Sequence, residues 1–99
     1  MTRPSIRDPQ RLARVFKALS VRTRVSIVQL LKRRRLCVNA LAARLNVSPA
    51  AVSQHLRVLR DAGLAQADKR GYYVHYEINE KTLADWRTMA DELLSKGAR

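Results

Sequence analysis

The chain has 99 residues, 46% of them apolar, and 20 Lys and Arg against 8 Asp and Glu give a formal net charge of +12. That length suits one domain, whose folding buries somewhat more than about 60% of the chain's surface, and leaves no room for a second. No apolar run approaches the roughly 18 residues of a membrane span, Met1 to Pro9 lacks the apolar core of a secretion signal, and three Gly and three Pro are too few for a fibrous or disordered chain, so one cytoplasmic folded unit is expected.

The charge is unevenly placed. Residues 79–99 hold Lys81, Arg87, Lys96 and Arg99 against Glu80, Asp85, Asp91 and Glu92, so the whole excess lies in residues 1–78. A basic body joined to a neutral C-terminal element points to a polyanionic partner, nucleic acid first. Cys37 is the one cysteine, which excludes an intrachain disulfide and leaves a packed thiol or a sensor.

In chain order, Asp8 before Pro9 reads as an N-cap with proline at the first helical position, and Leu12, Phe16 and Leu19 recur at helical spacing, giving a helix near 8–20. Arg7, Arg11 and Arg14 form a polar stripe along it, read as a solvated face before a phosphate contact. Thr23 is the expected cap of a second helix with Val25, Ile27, Val28, Leu30 and Leu31 as its apolar face. It ends in Lys32, Arg33, Arg34 and Arg35; the helix dipole favours cations there, and four in a row are also available to a DNA backbone. A short third helix runs from Asn39, as its cap, to Leu45, with Leu41 and Leu45 inward.

Asn46 to Pro49 break that helix. Ser48 is a second N-cap with Pro49 at the first helical position, and Val52, Leu56 and Leu59 repeat at i, i+4, i+7 along a helix over 48–62. Gly63 stops it in the left-handed position, with Leu64 packing back on Leu59. The period then changes to alternation: Leu64 to Asp68 and Tyr72 to Ile78 read as a β-hairpin, a wing over 65–78, around a basic tip of Lys69, Arg70 and Gly71. From Asn79 a last helix, to about 96, carries Leu83, Trp86, Ala90 and Leu93 at spacings of three, four and three, a seam suited to another helix or a twin subunit.

Two helices joined by a tight turn and followed by a cationic hairpin make a winged helix-turn-helix, mainly α with about five helices and a two-stranded wing, as one domain over 1–99. At 100° per residue, Ala50, Gln54, Arg57 and Asp61 point away from the inward face of the recognition helix, with Ser53 beside them. Gln54 is the leading base reader, because its amide can donate to adenine N7 and accept from N6. Arg57 can fork to guanine O6 and N7 or hold a phosphate. Ala50 and Ala51 keep the helix start slim. His55 sits at the edge of the inward face, where a packed or phosphate-touching imidazole is favoured over a metal ligand, since no second ligand stands at i+3 or i+4. His75 in the wing is a surface imidazole by default. Lys69 and Arg70 can follow a phosphate or enter the minor groove. The expected DNA-contacting set is therefore Ser48, Ala50, Ser53, Gln54, His55, Arg57, Lys69 and Arg70, with no catalytic residue, metal or cofactor.

The chain resembles the ArsR family of bacterial repressors, also called ArsR/SmtB, over most of its length. The resemblance rests on Leu19 to Leu31 with Thr23 and Arg24, on Leu36, Cys37 and Val38, on Ser53 to Leu64 reading SQHLRVLRDAGL, and on Gly71 to Tyr76 reading GYYVHY. It implies a homodimer built from the first and last helices, binding an imperfect palindrome at a promoter and released by an inducer. Many members sense metals through a Cys-Val-Cys pattern in the third helix. Here it is Cys37, Val38, Asn39, so the second thiolate is missing; members with Asp and His ligands use the last helix, and residues 79–99 contain no histidine. Val21 and Arg22 replace the Asp-Pro often found before Thr23.

Three other readings compete. An RNA-binding module suits the charge, but one Phe, one Trp and tyrosines confined to the hairpin show no stacking platform. An architectural protein would bind any duplex with similar affinity. For an enzyme there is no Gly-rich phosphate loop, zinc-helix motif or paired nucleophile and base.

Overall fold

A computed structural model describes residues 8–97. Most of the polar stretch Met1 to Pro9, Arg7 of the stripe and Arg99 of the charge tally lie outside the described residues. The order is α1 (Pro9–Ala18), α2 (Arg22–Leu31), α3 (Val38–Leu45), α4 (Pro49–Asp61), β1 (Ala65–Arg70), β2 (Tyr73–Ile78) and α5 (Glu80–Leu94). This is the five-helix, one-hairpin winged helix-turn-helix that the sequence pattern describes.

The helix starts show why the chain folds where it does. Asp8 accepts a hydrogen bond from the Arg11 N–H at 3.1 Å, with Pro9 as the first helical residue of α1. Ser48 does the same for the Ala51 N–H at 3.1 Å at the start of α4. Asn79 caps α5 by accepting from Lys81 and Thr82 at 3.1 and 3.2 Å.

Two expected caps are displaced. Thr23 lies one residue inside α2, whose N-cap is Val21 in an extended conformation with no side-chain bond. Asn39 lies one residue inside α3 and is exposed; Cys37 is the cap, its Sγ accepting from the Ala40 N–H at 3.4 Å. Sulfur is a weak acceptor, so propensity ranks Asn first, but the extended backbone at Leu36 and Cys37 decides the start. That extension pairs Leu36 with Tyr76 in both directions, Tyr76 N–H to the Leu36 carbonyl at 2.8 Å and the reverse at 3.2 Å. A one-residue third strand thus ties the α2–α3 connector to the wing.

Between α3 and α4 the chain turns through Asn46 in the left-handed region (φ 56°, ψ 47°), which asparagine tolerates better than most side chains. At the other end of α4, Gly63 (φ 83°) donates to the Arg60 carbonyl and Leu64 to the Leu59 carbonyl, both at 2.9 Å, which is the Schellman pair. Leu64 therefore belongs to the stop signal, and β1 begins one residue later.

β1 and β2 pair antiparallel from Ala65 with Ile78 to Arg70 with Tyr73, leaving Gly71 and Tyr72 as a two-residue turn. A positive φ at Gly71 and not at Tyr72 fits the II′ hairpin turn. The tip is thus Gly71 and Tyr72; Lys69 and Arg70 are the last residues of β1.

One core serves all the helices. Ile27, Leu41, Val52, Leu56, Leu59, Leu64 and Met89 are the most deeply buried large side chains, drawn from α2, α3, α4, the α4–β1 joint and α5. In α1 the buried face is Leu12, Val15 and Ala18, while Phe16 is 39% exposed, against the expectation that it packs inward. In α5 the buried pair is Trp86 and Met89; Leu83 and Ala90 are half-buried and Leu93 is exposed.

Candidate nucleic-acid interface

The face of α4 opposite the core is free. Val52, Leu56 and Leu59 are at most 1% exposed, whereas Ala50, Ser53, Gln54, Arg57 and Asp61 are all exposed. The wheel read from sequence therefore holds. The helix start is slim, with Ala50 exposed and Ala51 half-buried, and Gln54 stands in its second turn. Ser48 is exposed, but its oxygen already serves the Ala51 N–H, so only its hydroxyl proton remains for a phosphate. His55 is half-buried beside Leu56.

A groove of about 730 Å³ separates α4 from the wing, lined by Ser53, Arg57, Arg60, Asp61, Gln66 and Tyr76 among others. Arg60 is outside the outward set that the helical wheel picks out. Its guanidinium lies 5.9 Å from the centre of the Tyr76 ring, a cation–π distance that holds the charge over the groove. The signal was its place three residues after Arg57, one turn on and on the same flank.

On the wing, Lys69 and Arg70 are exposed at the end of β1, just before the turn that carries the fully exposed Tyr72. They do not act as one pair. Alternation puts Arg70 on the hairpin face of Asp68, His75 and Tyr73, and Lys69 on the other face with Val74. Asp68 accepts from Arg70 Nε at 3.0 Å and from Arg35 Nη1, so one cation of the Lys32 to Arg35 run reaches the wing. Lys32, Arg33 and Arg34 are exposed.

Cys37 is half-buried at the start of α3. Among the described residues no three His, Cys, Asp or Glu side chains converge as metal ligands, and no helix is long and apolar enough to cross a membrane.

A helix-turn-helix with an uncommitted second helix and a cationic hairpin beside it defines the winged helix-turn-helix class of regulator. Comparison with known proteins narrows the class. Residues 22–67 match the model of bacterial regulatory proteins of the arsR family. The chain is 36% identical over 90 residues to the transcriptional repressor SmtB homolog of Synechocystis sp., an overlap of 90% of this chain and 68% of that protein. It is 31% identical over 83 residues to the transcriptional repressor SdpR of Bacillus subtilis, covering 84% of this chain and 92% of the relative. Among solved structures, the homodimeric winged helix-turn-helix DNA-binding domain Mb0332 of Mycobacterium bovis, a possible ArsR-family regulator, matches with a TM-score of 0.70 at 29% identity, covering 91% of this chain and 87% of that one. The chain belongs to the ArsR family, whose members are transcriptional regulators and not enzymes.

Proposed function

We propose that the protein is a homodimeric transcriptional repressor that binds a palindromic operator, with residues 1–99 as one domain, α4 in the major groove and the wing on the neighbouring backbone. The observation that carries this is the exposed face of α4, where Ala50, Ser53, Gln54 and Arg57 face solvent while the same helix buries Val52, Leu56 and Leu59. A helix anchored on three buried aliphatic positions presents the opposite side chains at fixed spacing, which is what base-edge readout needs.

Self-association has its own support. α1 packs against α5, and these helices leave Phe16, Leu93 and Leu94 39%, 48% and 74% exposed, more apolar surface than a solvated helix pair needs. The Mycobacterium bovis neighbour is described as a homodimer. Two copies related by a two-fold axis would set half-sites about 10 base pairs apart, or a multiple of that.

The reading is tested by selecting duplexes in vitro and measuring affinity by fluorescence anisotropy across salt. Binding should weaken steeply, with a log-log slope of about −0.9 per phosphate neutralised. Gln54→Ala should lose about 1–3 kcal/mol on the selected site and little on random DNA. Equal losses on both would make Gln54 a structural or backbone residue, and salt-insensitive binding would remove the operator reading altogether.

A further inference from the structure

The arginines that follow α2 do more than close a helix. Arg35 leaves the α2–α3 connector beside the Leu36–Tyr76 bridge and ion-pairs through Nη1 with Asp68 Oδ2; Arg70 Nε reaches the same oxygen at 3.0 Å. The Asp68 side chain is 23% exposed, against 44% for Arg35 and 70% for Arg70, so the acid is the more enclosed partner and the two arginines the more open ones. A guanidinium offers five N–H donors. With one nitrogen committed on each, Arg35 retains its other Nη and Arg70 retains both. Arg34, Tyr73 and His75 complete the rim of a cleft of about 400 Å³ with these two arginines.

The hairpin register explains the grouping. Asp68 pairs with His75 and Arg70 with Tyr73, so all four share one face, and Tyr76, which lies under Arg60 of α4, is on the other. The wing therefore faces Arg57 and Arg60 of α4 across one groove, and on its outer face its own Arg70 meets Arg34 and Arg35 of the α2–α3 connector. Two guanidiniums pair with one carboxylate there and Arg34 lines the same cleft as both, which leaves an excess of positive charge whose free N–H groups match the geometry of a phosphate. The cluster is continuous, through Arg70, with the exposed turn at Gly71 and Tyr72.

We infer that the outer face of the wing is a second phosphate site, taking the backbone of the duplex beyond the stretch that α4 reads, and that Asp68 is a positioning residue holding Arg35 and Arg70 toward it. The inference rests on the operator reading above. Phosphate contacts of this kind fix how a protein sits on DNA and carry no base information.

Two duplexes test it, one trimmed to the selected palindrome and one with roughly 10 extra base pairs on each side, a full helical turn. Wild-type protein should bind the longer duplex more tightly. The exposed pair Arg34→Ala with Arg35→Ala should lose about tenfold on the longer duplex and little on the trimmed one, with the salt slope reduced by roughly 0.9 for each phosphate contact removed. Asp68→Ala supplies an opposed sign. Removing a negative charge from a basic surface should tighten DNA binding by charge alone, whereas loss of a positioning residue weakens it on the longer duplex only. Tighter binding by Asp68→Ala, or an arginine variant that matches wild type on the longer duplex or loses equally on both, overturns the inference. Inorganic phosphate titrated into DNA-free protein, with the His75 ring followed by NMR, separates the source. Saturable shifts without flank dependence would give the cleft to a small phosphate ligand and overturn the DNA assignment. Wild-type protein that binds neither duplex removes the operator reading and this one with it; binding without flank dependence removes this one alone.

Discussion

Replacing Gly63 by alanine isolates the backbone conformation of the joint between the recognition helix and the wing. Gly63 has φ 83°, and a Cβ built on it meets nothing nearer than Thr82 Oγ1 at 3.8 Å, an ordinary van der Waals contact. The cost is therefore local and not a clash. An L residue in the left-handed region costs about 1–2 kcal/mol, and the stiffer unfolded chain gives back roughly 0.4–1 kcal/mol. A net loss of about 1 kcal/mol lowers Tm by roughly 4–8 °C in a domain of this size. Thermal unfolding followed by circular dichroism, at one fixed protein concentration because a dimer's Tm depends on it, reads the change. Gly63→Asn should fall between wild type and Gly63→Ala, because asparagine enters the left-handed region more readily. An alanine variant that melts at or above wild type, or an asparagine variant less stable than alanine, would refute the reasoning.

Other outcomes follow from single contacts. Ser48→Ala removes the acceptor for the Ala51 N–H and should cost about 1 kcal/mol in urea unfolding; no loss would mean water replaces the cap. Leu93→Glu, at a side chain already 48% exposed, should leave the fold intact by circular dichroism while shifting the protein toward monomer in sedimentation; an unchanged dimer would place the interface elsewhere. Cys37→Ser exchanges a weak sulfur acceptor for a preferred capping hydroxyl, so the melting temperature should hold or rise. The same variant tests metal sensing. With one thiol per chain and no trio of ligands among the described residues, zinc, cadmium or arsenite should not release DNA stoichiometrically from the wild type; release that vanishes in Cys37→Ser would contradict this.

The elements legible in the sequence were those with a local cause. Ser48-Pro49 and Gly63 bracket α4 because capping and left-handed geometry are decided within a few residues, and the alternation of Val52, Leu56 and Leu59 with Gln54 and Arg57 fixes which side faces out. The sequence does not separate Phe16 from Val15, because Leu12, Phe16, Leu19 and Leu12, Val15, Leu19 are both helical spacings and only the position of α5 chooses between them. Met89 was passed over for the same reason, since the three-four-three seam already satisfied the pattern. The start of α3 escaped because it depends on Leu36 pairing with Tyr76, forty residues away. Arg35 at Asp68 and Arg60 over Tyr76 are likewise tertiary, and nothing in the immediate sequence of either arginine announces its partner.

The hairpin has an edge that no other strand covers. β2 meets Leu36 at a single bridge, while the outer side of β1 pairs with no strand among the described residues. An uncovered edge is a template for strand addition by another molecule, and natural proteins guard such edges with charge. Asp68, Lys69 and Arg70 occupy three consecutive positions on it. Of these, Arg70 is also proposed to hold phosphate, so stripping the wing of charge to weaken DNA binding would at the same time remove charge that guards the edge.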